Sequence, residues 1–415
     1  YSQKSLVRKD YSFIAADTYP YCGKRGPMND MNEIAASAAD RTAVRITAVE
    51  CIPLNVPFKV PFKISTGAAR PVVETLIVKV HTDQGVTGVG ETQAWRRQGS
   101  AETLEGQINV IKNHFEPQMI GRSPFDVNAI MHGLNESMYH SHYSQAAVGD
   151  ALYDAVGKLL GVPVYQILGG KTRDKVRVAA VLSMKGTVES LLESADEFFE
   201  QGFRHLVLKI GVDPREDLRN AEALRKRFGD EIALRVDANA ALDYDDALSL
   251  LTKLEPFDIE TAEQPLNIWN VDGMADLAQK LRMPLMADEC VATDHALMEI
   301  IAKRAASSAQ TKVAKNGGIY HIRRLWHMLS AAGMGINPGN HPATSVATAS
   351  VAQMCGSWPG PLMTGVFAVG ISGALAEDIV ENPIRHENGE IPIPDGPGLG
   401  ITLDEDALQK LRIDT

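Results

Sequence analysis

Apolar and polar residues alternate from Val44 to Leu54, from Thr75 to Thr82 and from Val86 to Ala94, with Asp83-Gln84-Gly85 between the last two runs. A period of two around an Asp-x-Gly turn predicts an antiparallel meander. The period then lengthens. Over 101–116, 124–138 and 144–160 apolar residues recur at three- and four-residue spacing, and the last run stops at Gly161 before Pro163, so three helices are expected. Together these patterns predict an α+β domain over 44–170. Residues 1–43 are polar, carry both charge signs and lack the apolar stretch of a secretory signal; an extension, a tag or an arm all fit.

Beyond residue 170 short apolar runs and helical stretches take turns. Strands are expected near 177–183, 205–210, 232–238, 259–264, 284–288, 309–313, 334–338 and 363–368, with helices between them such as 215–228, 243–254, 293–304 and 318–332. Eight evenly spaced strands with intervening helices and no reversal predict a closed parallel (β/α)8 barrel over 171–394, an α/β fold, with the α+β domain as a cap. An open dinucleotide-binding sheet is disfavoured. The glycine cluster it requires is missing, and Gly85, Gly88 and Gly90 belong to the hairpin.

Charged residues end these runs at a regular interval. From Lys209 the steps are 28 residues to Asp237, 26 to Glu263, 25 to Asp288 and 27 to Lys315. In a barrel, strand ends converge on one mouth, so three carboxylates and two amines are expected to meet there. Alternation along the strands places Val207 with Lys209, Arg235 with Asp237 and Asn239, and Met286 with Asp288. Three converging anions call for a cation, and hard carboxylate oxygens favour Mg²⁺, with Mn²⁺ as a substitute. The two lysines then flank a bound acid from opposite sides, where each can move a proton at one carbon. An isolated acid of this kind usually caps a helix; three in phase at adjacent strand ends do not fit that reading.

Bulk properties narrow the partners. A net charge of -11 argues against nucleic acid or an anionic membrane surface. No apolar run approaches the ~18 residues of a membrane span. Cys22, Cys51, Cys290 and Cys355 are widely spaced without a CxxC pair, which predicts reduced thiols and a cytoplasmic protein.

An ordered set of motifs carries a resemblance. The segment Pro57-Phe58-Lys59-Val60-Pro61-Phe62, the run Ala151-Leu152-Tyr153-Asp154 leading to Gly169-Gly170, Leu208-Lys209-Ile210-Gly211 and Val236-Asp237-Ala238-Asn239 come first. Glu263-Gln264-Pro265, Ala287-Asp288-Glu289 and Lys312-Val313-Ala314-Lys315 before Gly317-Gly318 follow. Nearly everything after residue 43 resembles the enolase superfamily, in its muconate lactonizing (mandelate racemase/muconate cycloisomerase-like) subgroup. The resemblance implies Asp237, Glu263 and Asp288 as metal ligands, Lys209 and Lys315 as the acid/base pair, and Asn239, Glu289 and Lys312 as residues supporting them. It also implies abstraction of a proton next to a carboxylate, with an enediolate held on Mg²⁺. Racemisation, epimerisation or cycloisomerisation of a small carboxylic acid is the expected outcome, in a homo-oligomer of two to eight subunits. Residues 395–415 would return to the cap.

The chain departs from that pattern at three places. Val207 stands where relatives often carry the first lysine of Lys-x-Lys. After the seventh strand, Asn337-Pro338-Gly339-Asn340-His341-Pro342 replaces the usual Glu, which makes Asn340 and His341 candidate substrate contacts. Residues 363–367 lack the Asp-x-Asp of dipeptide epimerases. Loops near 58–70 and 92–100 are expected to close over the barrel, with Trp95 as a further substrate contact. Dehydration of a hydroxy acid uses the same lysines and is the alternative, followed by a barrel that has lost its reaction and only binds or assembles.

Overall fold

A first strand containing Pro53, Pro57 and Pro61 is tolerated only at a sheet edge, where a residue without an N–H need not feed a ladder. In the computed structural model, which describes residues 43–62, 70–94, 102–183, 186–367 and 375–414, the strand β1 (Ile46–Phe62) holds that place. It pairs antiparallel with β2 (Arg70–Thr82), which pairs with β3 (Thr87–Gln93), in the order β1-β2-β3. The outer edge of β1 is covered by the chain end: Leu54 bridges Arg412, and Ile413 N donates to Pro53 O at 3.1 Å. An open edge that could pair with another chain is thereby shortened.

The helix His142–Leu160 lies against this sheet and is buried continuously from Tyr143 to Gly157. Its backbone comes so close to β3 that a Cβ at Gly88 or Gly90 would lie 2.0 Å from the carbonyl oxygen of Ala151 or Ala147. Gly90→Val is therefore expected to destabilise the fold by at least ~3 kcal/mol, the upper end of ordinary overpacking costs, because rigid backbone rather than a flexible side chain would have to yield. Urea unfolding checks this; a loss below about 1 kcal/mol would mean that the helix can back away.

After the short strand β4 (Lys175–Arg177) come eight parallel strands: β5 (Ala180–Leu182), β6 (His205–Lys209), β7 (Ala233–Asp237), β8 (Ile259–Glu263), β9 (Leu285–Ala287), β10 (Ser308–Lys312), β11 (Gly335–Asn340) and β12 (Val366–Phe367). They follow one another in chain order around a nearly closed barrel. The seam between first and last is a bridge from Val178 to Gly365, with Ala179 N donating to Gly365 O at 2.8 Å and Gly365 N to Arg177 O at 3.0 Å. One expected strand divides here. Of 177–183, residues 180–182 pair with β6 and 177–179 meet Gly365 at the seam, while β4 also pairs antiparallel with β13 (Glu390–Pro392).

Between strands the amphipathic helices Pro214–Phe228, Tyr244–Leu254, Asp294–Lys303 and Gly318–Ala331 form close to where periodicity places them. The helix Ser345–Ser357 is different. Nearly all of it is buried, so it has no polar stripe to betray it.

Buried carboxylates tie the antiparallel sheet and its helix to the C-terminal segment and to the barrel. Asp154 accepts from Val89 N (2.8 Å) and from Leu399 N (2.7 Å). Asp150 accepts from Ile319 N (2.8 Å) at the start of the helix Gly318–Ala331. Full burial pushes the Asp150 carboxyl from the usual 3.8 up to about 7, against the pull of the Ile319 N–H. A folded-state pKa above the unfolded one stabilises the fold at low pH, and the contribution is lost as pH rises through about 7. Asp150→Asn should therefore remove part of the fall in stability between pH 5 and pH 8, as read from urea midpoints. An unchanged pH profile would contradict the shift.

Candidate active site

Register brings the charged strand ends into one row. Lys209 is level with Asp237, Asp237 with Glu263, and Glu263 with Met286, two residues before Asp288. The backbone is unusual just past these ends. Asn239, Ala240 and Gln264 have φ of 46°, 60° and 36°, a left-handed region that non-glycine residues occupy at a cost of order 1–3 kcal/mol and that gathers at functional sites.

All five sequence-predicted ligands and lysines are buried, from Asp288 with no exposure to Lys209 at 9%. Lys209 Nζ bonds to Asp237 Oδ2 at one end of the row. At the other end Lys315 Nζ bonds to Asp288 Oδ1 at 2.8 Å and to the carbonyl of Gln310 at 3.0 Å. Lys312 bonds to Asp288 Oδ2, so two ammonium groups share that carboxylate. Asn239 supports the first end: its N–H donates to Asp237 Oδ1 (2.8 Å), and its amide donates to Asp237 Oδ2 and Glu289 Oε1, both at 3.1 Å.

Electrostatics separates the acids by neighbour. Burial works against the charge on Asp288, but Lys312 and Lys315 override it and hold the carboxyl well below its usual range. Glu263 sits between Asp237 and Asp288, with no lysine hydrogen-bonded to it among the described residues. Burial, then repulsion from those two anions, raises its pKa well above normal. Glu289 is raised to about 8 by burial and by Asp288. Lys312 stays charged: burial opposes this, while Asp288, Glu289 and Glu263 prevail.

A hard divalent cation suits this donor set. Among the described residues Glu263 Oε2 is buried without a hydrogen-bond partner, and its carboxylate is destabilised by the negative charges that a cation would offset. Among the described residues no three His, Cys, Asp or Glu groups form a ready cage, because lysines take up oxygens of Asp237 and Asp288. Ion binding would have to exchange those bonds.

His341 follows β11, whose Gly339 is level with Lys312. The imidazole is buried and faces the same charges: burial first, then Lys312, keeps its pKa well below normal, with Asp288 and Lys315 also acting on it. It is uncharged at neutral pH. Asn340 alternates to the other side, where its amide donates to Thr348 Oγ1 at 3.2 Å, so it is not brought to the cluster. Trp95 lies outside the described residues.

Two supporting residues were given no role by the sequence. Gln264 Oε1 accepts from Asp288 N (2.9 Å) and Cys290 N (3.2 Å), linking the loops after β8 and β9. Asn316 accepts from Lys312 N (2.8 Å) and donates to Val291 O (2.7 Å), fixing the turn between the two lysines. Gln264 stood in the Glu263-Gln264-Pro265 motif, and Asn316 had no signal beyond its place next to Lys315. Among the described residues no helix is long and apolar enough to cross a membrane, and Cys51, Cys290 and Cys355 are free.

Comparisons with known proteins agree with this architecture. Residues 46–169 match the family described as mandelate racemase / muconate lactonizing enzyme, N-terminal domain, and residues 190–407 match enolase C-terminal domain-like. The chain is 31% identical over 371 residues to N-succinyl-L-Arg/Lys racemase of Bacillus cereus, covering 89% of this chain and 98% of the relative, and their structures superpose with a TM-score of 0.84. It is 32% identical to chloromuconate cycloisomerase of Cupriavidus pinatubonensis, covering 81% and 90%. The crystal structure of muconate lactonizing enzyme from Pseudomonas fluorescens, complexed with muconolactone, matches with a TM-score of 0.85 at 29% identity, over 89% and 100% of the chains. A barrel with charged strand ends, an antiparallel sheet before it and relatives that are isomerases lead to one assignment: the chain belongs to the enolase superfamily, in its mandelate racemase/muconate lactonizing enzyme branch.

Proposed function

We propose that this protein forms an enolate next to the carboxylate of a small organic acid, either by removing the adjacent proton in a racemisation or epimerisation, or by closing a second carboxylate onto a double bond in a cycloisomerisation. The observation that carries the reading is the placement of Lys209 and Lys315 at opposite ends of one row of buried carboxylates. An acid lying along that row would meet an amine on each side. One lysine, as free amine, takes the proton from one face, and the other, as ammonium, supplies a proton to the opposite face, giving inversion at that carbon. In a cycloisomerisation one lysine alone suffices, donating to the carbon that becomes saturated.

Membership of the family implies a divalent metal, and Asp237, Glu263 and Asp288 are the residues that would hold Mg²⁺. When bound, such an ion stabilises negative charge building up on the substrate carboxylate. The chain's own contribution is positional. Asn239 orients Asp237, Gln264 fixes the backbone of Asp288, and Lys312 stays charged beside it. His341 offers a neutral imidazole for a polar group of the substrate.

The relatives' activities make N-succinylated amino acids and muconates the first compounds to try, alongside hydroxyprolines and sugar acids. Incubation in D₂O with Mg²⁺ or Mn²⁺, followed by mass spectrometry, should show deuterium entering next to the carboxylate of at least one class, or lactone formation from a muconate. Absence of both across the panel would refute the reading.

A further inference from the structure

The loop that carries His341 is held from outside the barrel. At its end, Thr344 gives its N–H (3.1 Å) and its hydroxyl (2.7 Å) to Glu91 of β3. Glu91 also accepts from Ala347 N (2.9 Å) and from Thr75 Oγ1 (2.8 Å), and is completely buried. A carboxyl out of water that meets four donors is a stiff anchor, since any shift of the loop would leave buried polar groups unpaired. The imidazole of His341 lies almost parallel to the ring of Tyr143, with centroids 5.8 Å apart and planes 15° apart. Tyr143 opens the buried helix that packs on β3, and Glu102 accepts its N–H at 2.9 Å. Two separate parts of the antiparallel domain thus bear on one loop, one through the backbone end and one through the ring.

The place of His341 beside the charged strand ends makes that loop consequential. Gly339 is level with Lys312 and Asn340 turns to Thr348, while His341, in the bend just past the strand, sits where the charges of Lys312, Asp288 and Lys315 act on its ring. The ring has its face against Tyr143 and the charges of Lys312 and Lys315 within reach. We propose that Glu91 and Tyr143 are positioning residues: acting through His341, they let the antiparallel domain set how tightly the barrel holds its organic acid. The inference rests on the acid-binding reading above, and it assigns to buried sheet and helix residues a part in substrate affinity rather than in proton transfer.

Paired substitutions separate this from a merely structural role. Tyr143→Leu removes the aromatic face, while Tyr143→Phe keeps it. Thr344→Val removes the hydroxyl donor to Glu91, while Thr344→Ser keeps it. Tyr143→Leu and Thr344→Val are each expected to raise KM about tenfold with kcat changed less than about threefold, and the conservative partners should restore KM. Tyr143→Leu combined with His341→Ala should be no worse than His341→Ala alone, because both act through one ring.

In protein with isotope-labelled histidine, Tyr143→Leu should also move the His341 ring signals without any substrate. Additive effects in the double variant, lowered melting temperature with KM unchanged, or an unmoved His341 signal would each overturn the proposal. The failure of the two readings is distinguishable. A moved signal together with Tyr143-dependent binding of the acid by calorimetry, but no exchange in D₂O, would refute the reaction and uphold the positioning.

Discussion

Lys315→Ala and Lys209→Ala should each slow exchange of the proton next to the carboxylate by about 10²–10⁴-fold, the usual contribution of a positioned acid or base. The losses should fall on opposite faces. With a substrate that is racemised, one variant should still wash deuterium into one enantiomer and the other variant into its mirror image, because the lysines stand at the two ends of the carboxylate row. Loss on the same face in both, or exchange intact in both, would remove the basis for the acid/base pair.

The two variants should also differ in stability, which guards against mistaking misfolding for lost chemistry. Removing Lys209 takes from buried Asp237 its only ammonium partner among the described ion pairs, and breaking a buried pair costs about 3–5 kcal/mol. Removing Lys315 leaves Asp288 still bonded to Lys312, so that variant should lose less. Thermal denaturation of the metal-free proteins checks the order.

Glu263→Gln should abolish Mg²⁺ binding while leaving the metal-free protein as stable as before or more so. The sign follows from the position of the side chain. Burial and the neighbouring Asp237 and Asp288 oppose its charge, and Oε2 has no hydrogen-bond partner, so a neutral isostere relieves repulsion. The same repulsion is what an ion would offset. Saturating Mg²⁺ at about 100 times its Kd should stabilise the wild type by ~2.7 kcal/mol and the variant by nothing. Calorimetric titration and melting curves with and without Mg²⁺ provide the measurements. A metal-free variant markedly less stable than wild type, still binding Mg²⁺, would mean that Glu263 is a structural residue and that the ion sits elsewhere.

These expectations show which parts of the molecule a linear reading can reach. Lys209, Asp237, Glu263 and Asp288 were legible because each ends an apolar run, and a parallel barrel repeats its unit at nearly constant length. The helix Ser345–Ser357 was not, since nearly complete burial erases the polar face on which periodicity depends. Asn340 and His341 were picked out together as loop polar residues, and only the fold divides them: Asn340 ends the strand facing Thr348, and His341 in the following bend meets the charges of the lysines. Glu91 and Asp150 left no trace in the pattern, because an acid that accepts hydrogen bonds from a distant helix start looks the same in sequence as one facing water.

From its sequence alone, this protein's barrel, its preceding antiparallel meander and the convergence of carboxylates and lysines followed from hydrophobic period and spacing, which are local and repeat. Tertiary structure decided who pairs with whom: Lys312 joining Lys315 on Asp288, Glu263 Oε2 left without a hydrogen-bond partner among the described residues, and the antiparallel domain gripping the His341 loop through Glu91 and Tyr143. The physical reason is that hydrogen bonds and charge pairs depend on distances between residues far apart in the chain, and those distances exist only once the core has closed.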